Sequence, residues 1–466
     1  MHTDNMLLKT DSYKITHWNQ YPDGVKTIES YFECRKGAQY GTFPFFSLQY
    51  ILKRHLVGKV VTHAMIDEAL PIFKSHFGGN GYFNEAGWRA IVNDYDGHLP
   101  ISIRAIPEGT LVRPGVALFI VRNTDTRFPW LTNVAETLLV QTWYGTTVGA
   151  LSYAIKSVVS QYLTATTGDT AGIDFMLQDF GYRGATTHEA AGIGGAAHLL
   201  SFLGTDTLAA ISTTMDYYGS DGKNIGYSVP ATEHSVMTAA GRAGEQDLVG
   251  KLLDTYKTGI LSVVADSYDI YNFTSHIVGE VYKDQILSRD GTFVIRPDSI
   301  TPRDPTPESE MVTLCNILWD KIGGVVNDKG YKVIDQHVKL LWGDGIDING
   351  ITKILDSMMR AGYAASNIAC FGMGGGLLQK VNRDTQRCAI KACALEDKDG
   401  IWHDQYKDPL DKTKISLKGR LKTIMAPDGM TTVKIDEPGD DIMQEVYRNG
   451  KLLIDHRWSD VRSRVQ

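Results

Sequence analysis

The sequence predicts an α/β protein: an irregular TIM-like α/β barrel domain plus a mixed α+β domain built from the N- and C-terminal segments. Three observations carry this. From about residue 172 onward, short apolar runs alternate with turn-rich and helical stretches, and such alternation implies a parallel sheet, open or closed into a barrel. Nearly every run ends in Asp, Arg or a glycine cluster, as strands do at the functional rim of a barrel. The flanking regions have a mixed or β-type rhythm, and 466 residues exceed what one core usually holds. The boundaries read as 166–384 for the barrel, and 1–165 with 385–466 for the discontinuous mixed domain.

Each element has its own reason. Asn84 reads as the N-cap of a helix over 84–95, where Trp88, Ile91, Val92 and Tyr95 share one face. Ile101, Ile103 and Ala105 alternate with polar residues as a strand does, and ALFIV at 117–121 predicts a second. A helical stretch follows over roughly 130–163. Barrel strands are predicted at 173–177 (IDFML), 260–265 (ILSVVA), 292–296 (TFVIR), 338–342 (VKLLW) and 367–371 (NIACF). The helices between them fall at 187–202, 245–257, 308–322 and 347–361. Beyond about 385 the rhythm returns to β, with a hairpin around Pro427-Asp428-Gly429.

Bulk properties exclude several classes. With 47 basic against 54 acidic residues the net charge is -7, which argues against a nucleic-acid-coating role. Five cysteines without a CxxC pair read as reduced thiols of a cytoplasmic protein. The first residues lack a signal peptide's basic start and apolar stretch, and no apolar run approaches the ~20 residues that span a bilayer.

The strand ends carry the chemistry. IDFML runs into Gln178-Asp179-Phe180-Gly181-Tyr182-Arg183, ILSVVA reaches Asp266, and TFVIR ends at Arg296-Pro297-Asp298. VKLLW leads to Gly343-Asp344-Gly345, and NIACF to Gly372-Met373-Gly374-Gly375-Gly376. Asp and Gly also cap helices after strands, and each site taken singly fits that plainer role. Carboxylates gathered at one rim suit holding a divalent metal or sugar hydroxyls. Backbone N–H groups of a glycine loop admit a phosphate closely. A tight turn would explain one or two of those glycines, not four of five. Residues 380–422 hold 11 Lys/Arg against 7 Asp/Glu; Arg383, Arg387, Lys391, Lys407, Lys412 and Lys414 suit a pyrophosphate, or equally a solvated face. Glu233-His234-Ser235 pairs a carboxylate with an imidazole, apt for general-base work or phosphoryl acceptance, and is also rich in helix-capping residues.

Several long segments resemble the nicotinamide phosphoribosyltransferase family, related to nicotinate phosphoribosyltransferase. They are DSYKITHWNQYP (11–22), YFECR (31–35), DYDGHLP (94–100), WLTNVAETLLVQTWY (130–144), DFGYRG (179–184) and GTDT (204–207). YSVPATEHS (227–235), VADSYDIYN (264–272), IRPDS (295–299), GDGIDIN (343–349) and GGGLLQK (374–380) follow. The resemblance spans nearly the whole chain. It implies transfer of phosphoribosyl from phosphoribosyl pyrophosphate to nicotinamide, giving nicotinamide mononucleotide and pyrophosphate in NAD salvage, by a homodimer with shared active sites. It further implies that Phe180 and the partner's Tyr13 sandwich the pyridine ring, that Asp206 accepts from the carboxamide, and that Arg183, Ser262 and Arg296 complete the pocket. His234 is implied as the histidine that ATP phosphorylates, with Glu233 assisting. Asp266 and Asp298 are implied to organise Mg²⁺. Asp11, Arg35, Gly343, Asp344, Gly375, Gly376, Arg383, Lys391 and Lys407 are implied to hold phosphoribosyl pyrophosphate or ATP. Ala389 and Met373 stand where the family carries serines, so affinity for phosphoribosyl pyrophosphate or ATP is expected to be weaker. The rivals are a nicotinate phosphoribosyltransferase and a non-catalytic nucleotide sensor. A sensor has no need of Glu233-His234 beside the full set of strand-end aspartates.

Overall fold

The computed structural model describes residues 4–410 and 415–466 and divides into two compact units. Lys412 and Lys414 lie outside the described residues. One unit comprises residues 151–212 and 222–380. Its core is six parallel strands: β1 (Leu177–Asp179), β2 (Gly204–Thr205), β3 (Leu261–Val264), β4 (Phe293–Arg296), β5 (Val338–Trp342) and β6 (Ile368–Met373). They lie in the order β2-β1-β6-β5-β4-β3. Leu261–Val264 and Phe293–Ile295 are wholly buried, because a parallel sheet is covered on both faces and its strands are apolar throughout.

The two edges of this curled sheet are joined by one extended segment. Tyr227 bridges to Gly204 on β2, and Ala231 bridges to Ser262 on β3. The Thr205 N–H donates to the Tyr227 carbonyl at 2.9 Å, and the Ser262 N–H to the Pro230 carbonyl at 3.0 Å. Backbone groups on both edge strands are thereby paired, as burial demands.

The helices start where polar caps allow. α1 (His188–His198) is capped by the Thr187 side chain, which accepts from the Ala190 N–H. α2 (His234–Thr255) starts at the predicted capping cluster and breaks at Gly241. α3 (Pro307–Lys321) has a capping box of Thr306 and Ser309, and α4 (Ile348–Arg360) is capped by Asp347. On α4 the buried residues are Ile351, Ile354, Leu355 and Met358, the spacing of one helical face.

The other unit comprises residues 1–150, 213–221 and 381–466. Its seven-stranded antiparallel sheet runs Trp402–Asp404, Cys388–Glu396, Thr27–Cys34, Ala117–Asn123, Ile101–Ala105, Gln444–Arg448, Lys451–Leu452. The third strand in that order, Thr27–Cys34, is buried at all eight positions. The expected helix appears as Glu85–Tyr95, with Asn84 accepting from the Gly87 N–H at 3.0 Å. The expected hairpin pairs Leu421–Ala426 with Gly429–Lys434.

Three sequence expectations shift. Residues 173–175 of IDFML form a 3₁₀ turn, and the strand starts at Leu177. The stretch expected over 130–163 is two helices, Leu131–Leu139 and Thr142–Thr167. The helix expected over 245–257 begins eleven residues earlier, at His234. Among the described residues no helix is long and apolar enough to cross a membrane.

Candidate active site

Because the six strands are parallel, their carboxyl ends share one rim, and the predicted polar residues follow those ends. β1 ends at Asp179 and leads to Phe180 and Arg183; β2 leads to Asp206; β3 to Asp266. β4 ends at Arg296 and leads to Asp298, β5 to Gly343 and Asp344, and β6 to Gly374. The bridging segment delivers Glu233 and His234 to the same place, since both line a cavity of about 640 Å³ with Asp298, Asp344 and Arg296.

His234 is the first residue of α2, and Glu233 at the N-cap position makes no side-chain capping bond. Its Nε2 lies 2.9 Å from Asp266 Oδ1, and its Nδ1 lies 3.9 Å from Asp298 Oδ2. The carboxylate that reaches the imidazole is thus Asp266; Glu233 instead accepts from the Ser235 hydroxyl. The second oxygen of Asp266 accepts from Ser299 Oγ at 2.6 Å. Arg296 donates through Nε (3.1 Å) and Nη2 (2.7 Å) to Asp298 Oδ1. Burial, then the neighbouring charges of Asp298 and Asp266, push the Asp344 carboxyl above its ordinary value. Two carboxylates therefore flank the imidazole, and Asp344 and Arg296 line the same cavity.

A second cavity of about 680 Å³ shares Phe180, Arg183, Asp206, Glu233 and Arg296 with the first. Its further lining is largely apolar, including Phe175, Tyr227, Val294 and Leu341, with Ser262 at its wall. The guanidinium of Arg296 lies 5.3 Å from the centre of the Phe180 ring, within cation–π range. A side chain at Gly372 would collide with the Phe180 ring, so the glycine is what lets the ring lie on the strand. Asp206 Oδ1 accepts from Gln178 Nε2 at 2.9 Å and from the Ser228 hydroxyl. Such a cleft can hold a flat ring at its apolar end and a charged, hydroxylated group at its polar end.

Gly375 and Gly376 open the turn Gly375–Leu378 after β6. A Cβ at Gly376 would come within 2.6 Å of the Ile346 carbonyl and 2.7 Å of Met373 Cε, so this loop tolerates no side chain there. Among the described residues no group of three or more His, Cys, Asp or Glu side chains forms a metal cage. Asp266 and Asp298 offer two carboxylates, a number that suits magnesium when water and phosphate supply its other ligands.

The remaining predicted residues belong to the terminal unit. Asp11 precedes the 3₁₀ helix Ser12–Asn19 and accepts from Thr137 Oγ1 at 2.9 Å, and Tyr13 is 60% exposed beside His17. Arg35 donates through Nε to the Arg387 carbonyl at 3.1 Å. Partial desolvation, then the charges of Arg35, Arg383 and Lys407, lower the Lys391 ammonium, while Glu136 opposes them. Those four cations therefore form one basic cluster. Ala389 is buried on the strand Cys388–Glu396.

From sequence, Ser299 and Ser228 carry no assigned role, and Gln178 and Asp179 figure only within the polar end of a strand. Ser299 lies in the quoted IRPDS, but a serine beside an aspartate does not announce which carboxylate it serves. Asp179 is fully buried; its Oδ1 accepts from the Gly181 N–H at 2.7 Å, and its carbonyl accepts from the Asp206 N–H at 3.0 Å.

Residues 5–103 match the family model described as nicotinamide phosphoribosyltransferase, N-terminal domain, and residues 175–451 match that of the nicotinate phosphoribosyltransferase family. A nicotinamide phosphoribosyltransferase of Xanthomonas campestris is 42% identical, covering 99% of this chain and 98% of its own. One from Acinetobacter baylyi is 30% identical over 99% and 97%. A crystal structure of nicotinate-nucleotide pyrophosphorylase from Pyrococcus furiosus shares the fold with a TM-score of 0.61 at 13% identity, covering 99% of this chain and 95% of that one. Human nicotinic acid phosphoribosyltransferase does so with a TM-score of 0.55 at 13% identity, over 98% and 92%.

Proposed function

We propose, from the premise that this chain belongs to the nicotinate phosphoribosyltransferase family and is a pentosyltransferase, that it joins nicotinamide to phosphoribosyl pyrophosphate in NAD salvage. One observation carries the choice: a histidine held by Asp266 stands at the polar end of a cleft whose other end presents Phe180, Arg296 and Asp206. The pyridine ring stacks on Phe180, with Tyr13 of the partner subunit on its other face, at the offset that aromatic quadrupoles prefer. Asp206, fixed through Oδ1 by Gln178 and Ser228, accepts from the carboxamide N–H₂. Arg183 and Arg296 line the same cleft and Ser262 its wall. An anionic Asp206 repels a carboxylate, which favours the amide over the acid.

Pyrophosphate leaves C1 of the ribose through an oxocarbenium-like state, and the pyridine nitrogen attacks the opposite face. That nitrogen carries no proton, so no general base is required. His234 is then available as the phosphoryl acceptor for ATP, oriented by Asp266 while Asp298 lies near its other nitrogen. Asp298 and Asp344 take ribose hydroxyls, and Gly343, Gly375 and Gly376 give phosphate room to approach. Asp11 and the cluster of Arg35, Arg383, Lys391 and Lys407 serve the phosphates in a homodimer with shared sites. Asp266 and Asp298 would hold Mg²⁺, which when bound offsets charge developing on the leaving pyrophosphate. The setting is the cytoplasm.

A product assay with nicotinamide, phosphoribosyl pyrophosphate and Mg²⁺, with and without ATP, tests this on the parent and on His234→Ala. Mononucleotide formation enhanced by ATP in the parent and indifferent to ATP in the variant is expected. Absence of mononucleotide from the parent sinks the reading, and preferential use of nicotinate moves it to the acid.

A further inference from the structure

In the sheet of the terminal unit two thiols face each other. Cys34 ends the strand Thr27–Cys34, Cys388 begins the strand Cys388–Glu396, and the register pairs them directly. Their Sγ atoms are 3.1 Å apart, and both residues are buried. The next pair outward is joined by the Arg35 N–H donating to the Arg387 carbonyl at 3.3 Å. Hydrogen-bonded and non-hydrogen-bonded pairs alternate along an antiparallel ladder, so Cys34 and Cys388 occupy the narrow kind, with Cα atoms about 4.5 Å apart. A disulfide spans Cα separations of about 4.4–6.8 Å. Bridging these sulfurs therefore asks for little backbone movement. The remaining thiols are placed differently, Cys393 for instance donating to the Glu29 carbonyl at 3.4 Å.

We propose that Cys34 and Cys388 form a reversible disulfide by exchange with a small-molecule disulfide. One cysteine, as thiolate, attacks a sulfur of the reagent; the S–S bond breaks and one reagent thiolate leaves. The other cysteine then attacks the protein sulfur of that mixed disulfide and releases the second reagent thiol. Two protein thiols are oxidised, one small disulfide is reduced to two thiols, and the two protons end on those thiols or in water.

Burial raises the Cys34 thiol well above its ordinary value, so the closed ladder is unreactive. Entry comes from fraying, because the pair closes the ladder. Beyond it lie turns tied by the Arg35–Arg387 bond and by the Cys388 N–H to the Arg383 carbonyl at 3.0 Å. Opening a strand end costs less than unfolding the sheet. Arg35 sits at this ladder end, Ala389 follows Cys388, and Lys391 lies on the same strand, so the bond would clamp the base of the basic cluster. The proposal holds whichever pyridine the enzyme takes.

The test incubates the full-length native protein in buffers of rising oxidised-to-reduced glutathione ratio, quenches with acid, alkylates, and reads intact mass and peptide maps. Expected are a loss of about 2 Da, one cross-linked peptide pair joining Cys34 to Cys388, and full reversal by dithiothreitol. Cys34→Ser and Cys388→Ser should each abolish that peptide pair. Two results overturn the proposal: all five cysteines still alkylated in the most oxidising buffer, or a Cys34–Cys388 bond that forms only once urea has unfolded the chain. Both are read on the parent protein, so the outcome does not depend on either variant folding.

Discussion

Asp206 and Asp179 are neighbours through the backbone, yet their surroundings give them opposite duties. Asp206 is exposed and fixed by Gln178 and Ser228, so it stays open to a ligand. Replacing it in Asp206→Ser should narrow the preference for nicotinamide over nicotinate by about tenfold or more, the scale of a charged hydrogen bond; an unchanged ratio of kcat/KM values would remove its selectivity role. Asp179 lies fully buried, and that burial pushes its carboxyl up to about 6. Its folded value is above the unfolded one, so its stabilising effect is complete below about pH 4 and is lost as pH rises through about 6. Asp179→Asn keeps the acceptor for the Gly181 N–H and removes the charge. It should be more stable than the parent at pH 8 by up to about 3 kcal/mol, with the gain vanishing near pH 4; parallel melting curves for the two proteins from pH 4 to 8 would disprove this. Ala389→Ser should lower KM for phosphoribosyl pyrophosphate or ATP, and steady-state kinetics with no change in either would dismiss the missing hydroxyl. Local pattern alone places Asp266 and Asp298 at strand ends and His234 at a helix start. What it could not supply was pairing: adjacency suggested Glu233 for the imidazole, whereas Asp266, thirty-two residues away, makes the contact.

Elements were legible in proportion to how apolar they are. β5 occupies the predicted 338–342, and β3 and β4 fall within their predicted spans, because buried parallel strands are continuous apolar runs. The strand Thr27–Cys34 escaped because Glu29, Ser30 and Glu33 interrupt it, although all are buried; long-range pairing overrode a polar composition. β2, two residues long, offers no periodicity to read. The capping-rich cluster marks the start of α2, but a periodic reading sees a helix only from 245, because Gly241, at φ 69° and ψ 169°, splits the span. That conformation belongs almost solely to glycine. A Cβ at Gly241 would meet no atom within 4 Å, so Gly241→Ala should cost about 1–3 kcal/mol from backbone strain alone, read as a lowered unfolding midpoint. Gly372→Ala is different in kind. Its methyl invades the Phe180 ring, so activity should fall far more than stability, and a variant with a normal KM for nicotinamide would contradict the stacking role.

At the scale of the molecule, the proposed function calls for each site to be completed by a second copy of the chain. If the sites are shared, mixing inactive Tyr13→Ala and Asp298→Ala proteins should restore activity. Random re-association would give about a quarter of the parental rate, since half the dimers then carry one intact site of two; no recovery after verified exchange would argue for self-contained sites. The division into units also follows from sequence only in outline, because membership of residues 213–221 in the terminal unit depends on contacts no local pattern encodes. The terminal sheet carries a last consequence, for biosynthesis. Its interior strand Thr27–Cys34 is translated early, but one neighbour is encoded 354 residues later. At roughly 5–20 residues per second the ribosome takes on the order of tens of seconds to deliver that neighbour. Throughout that interval an acidic strand destined for burial has a bare flank, so the sheet closes only once most of the chain has been made.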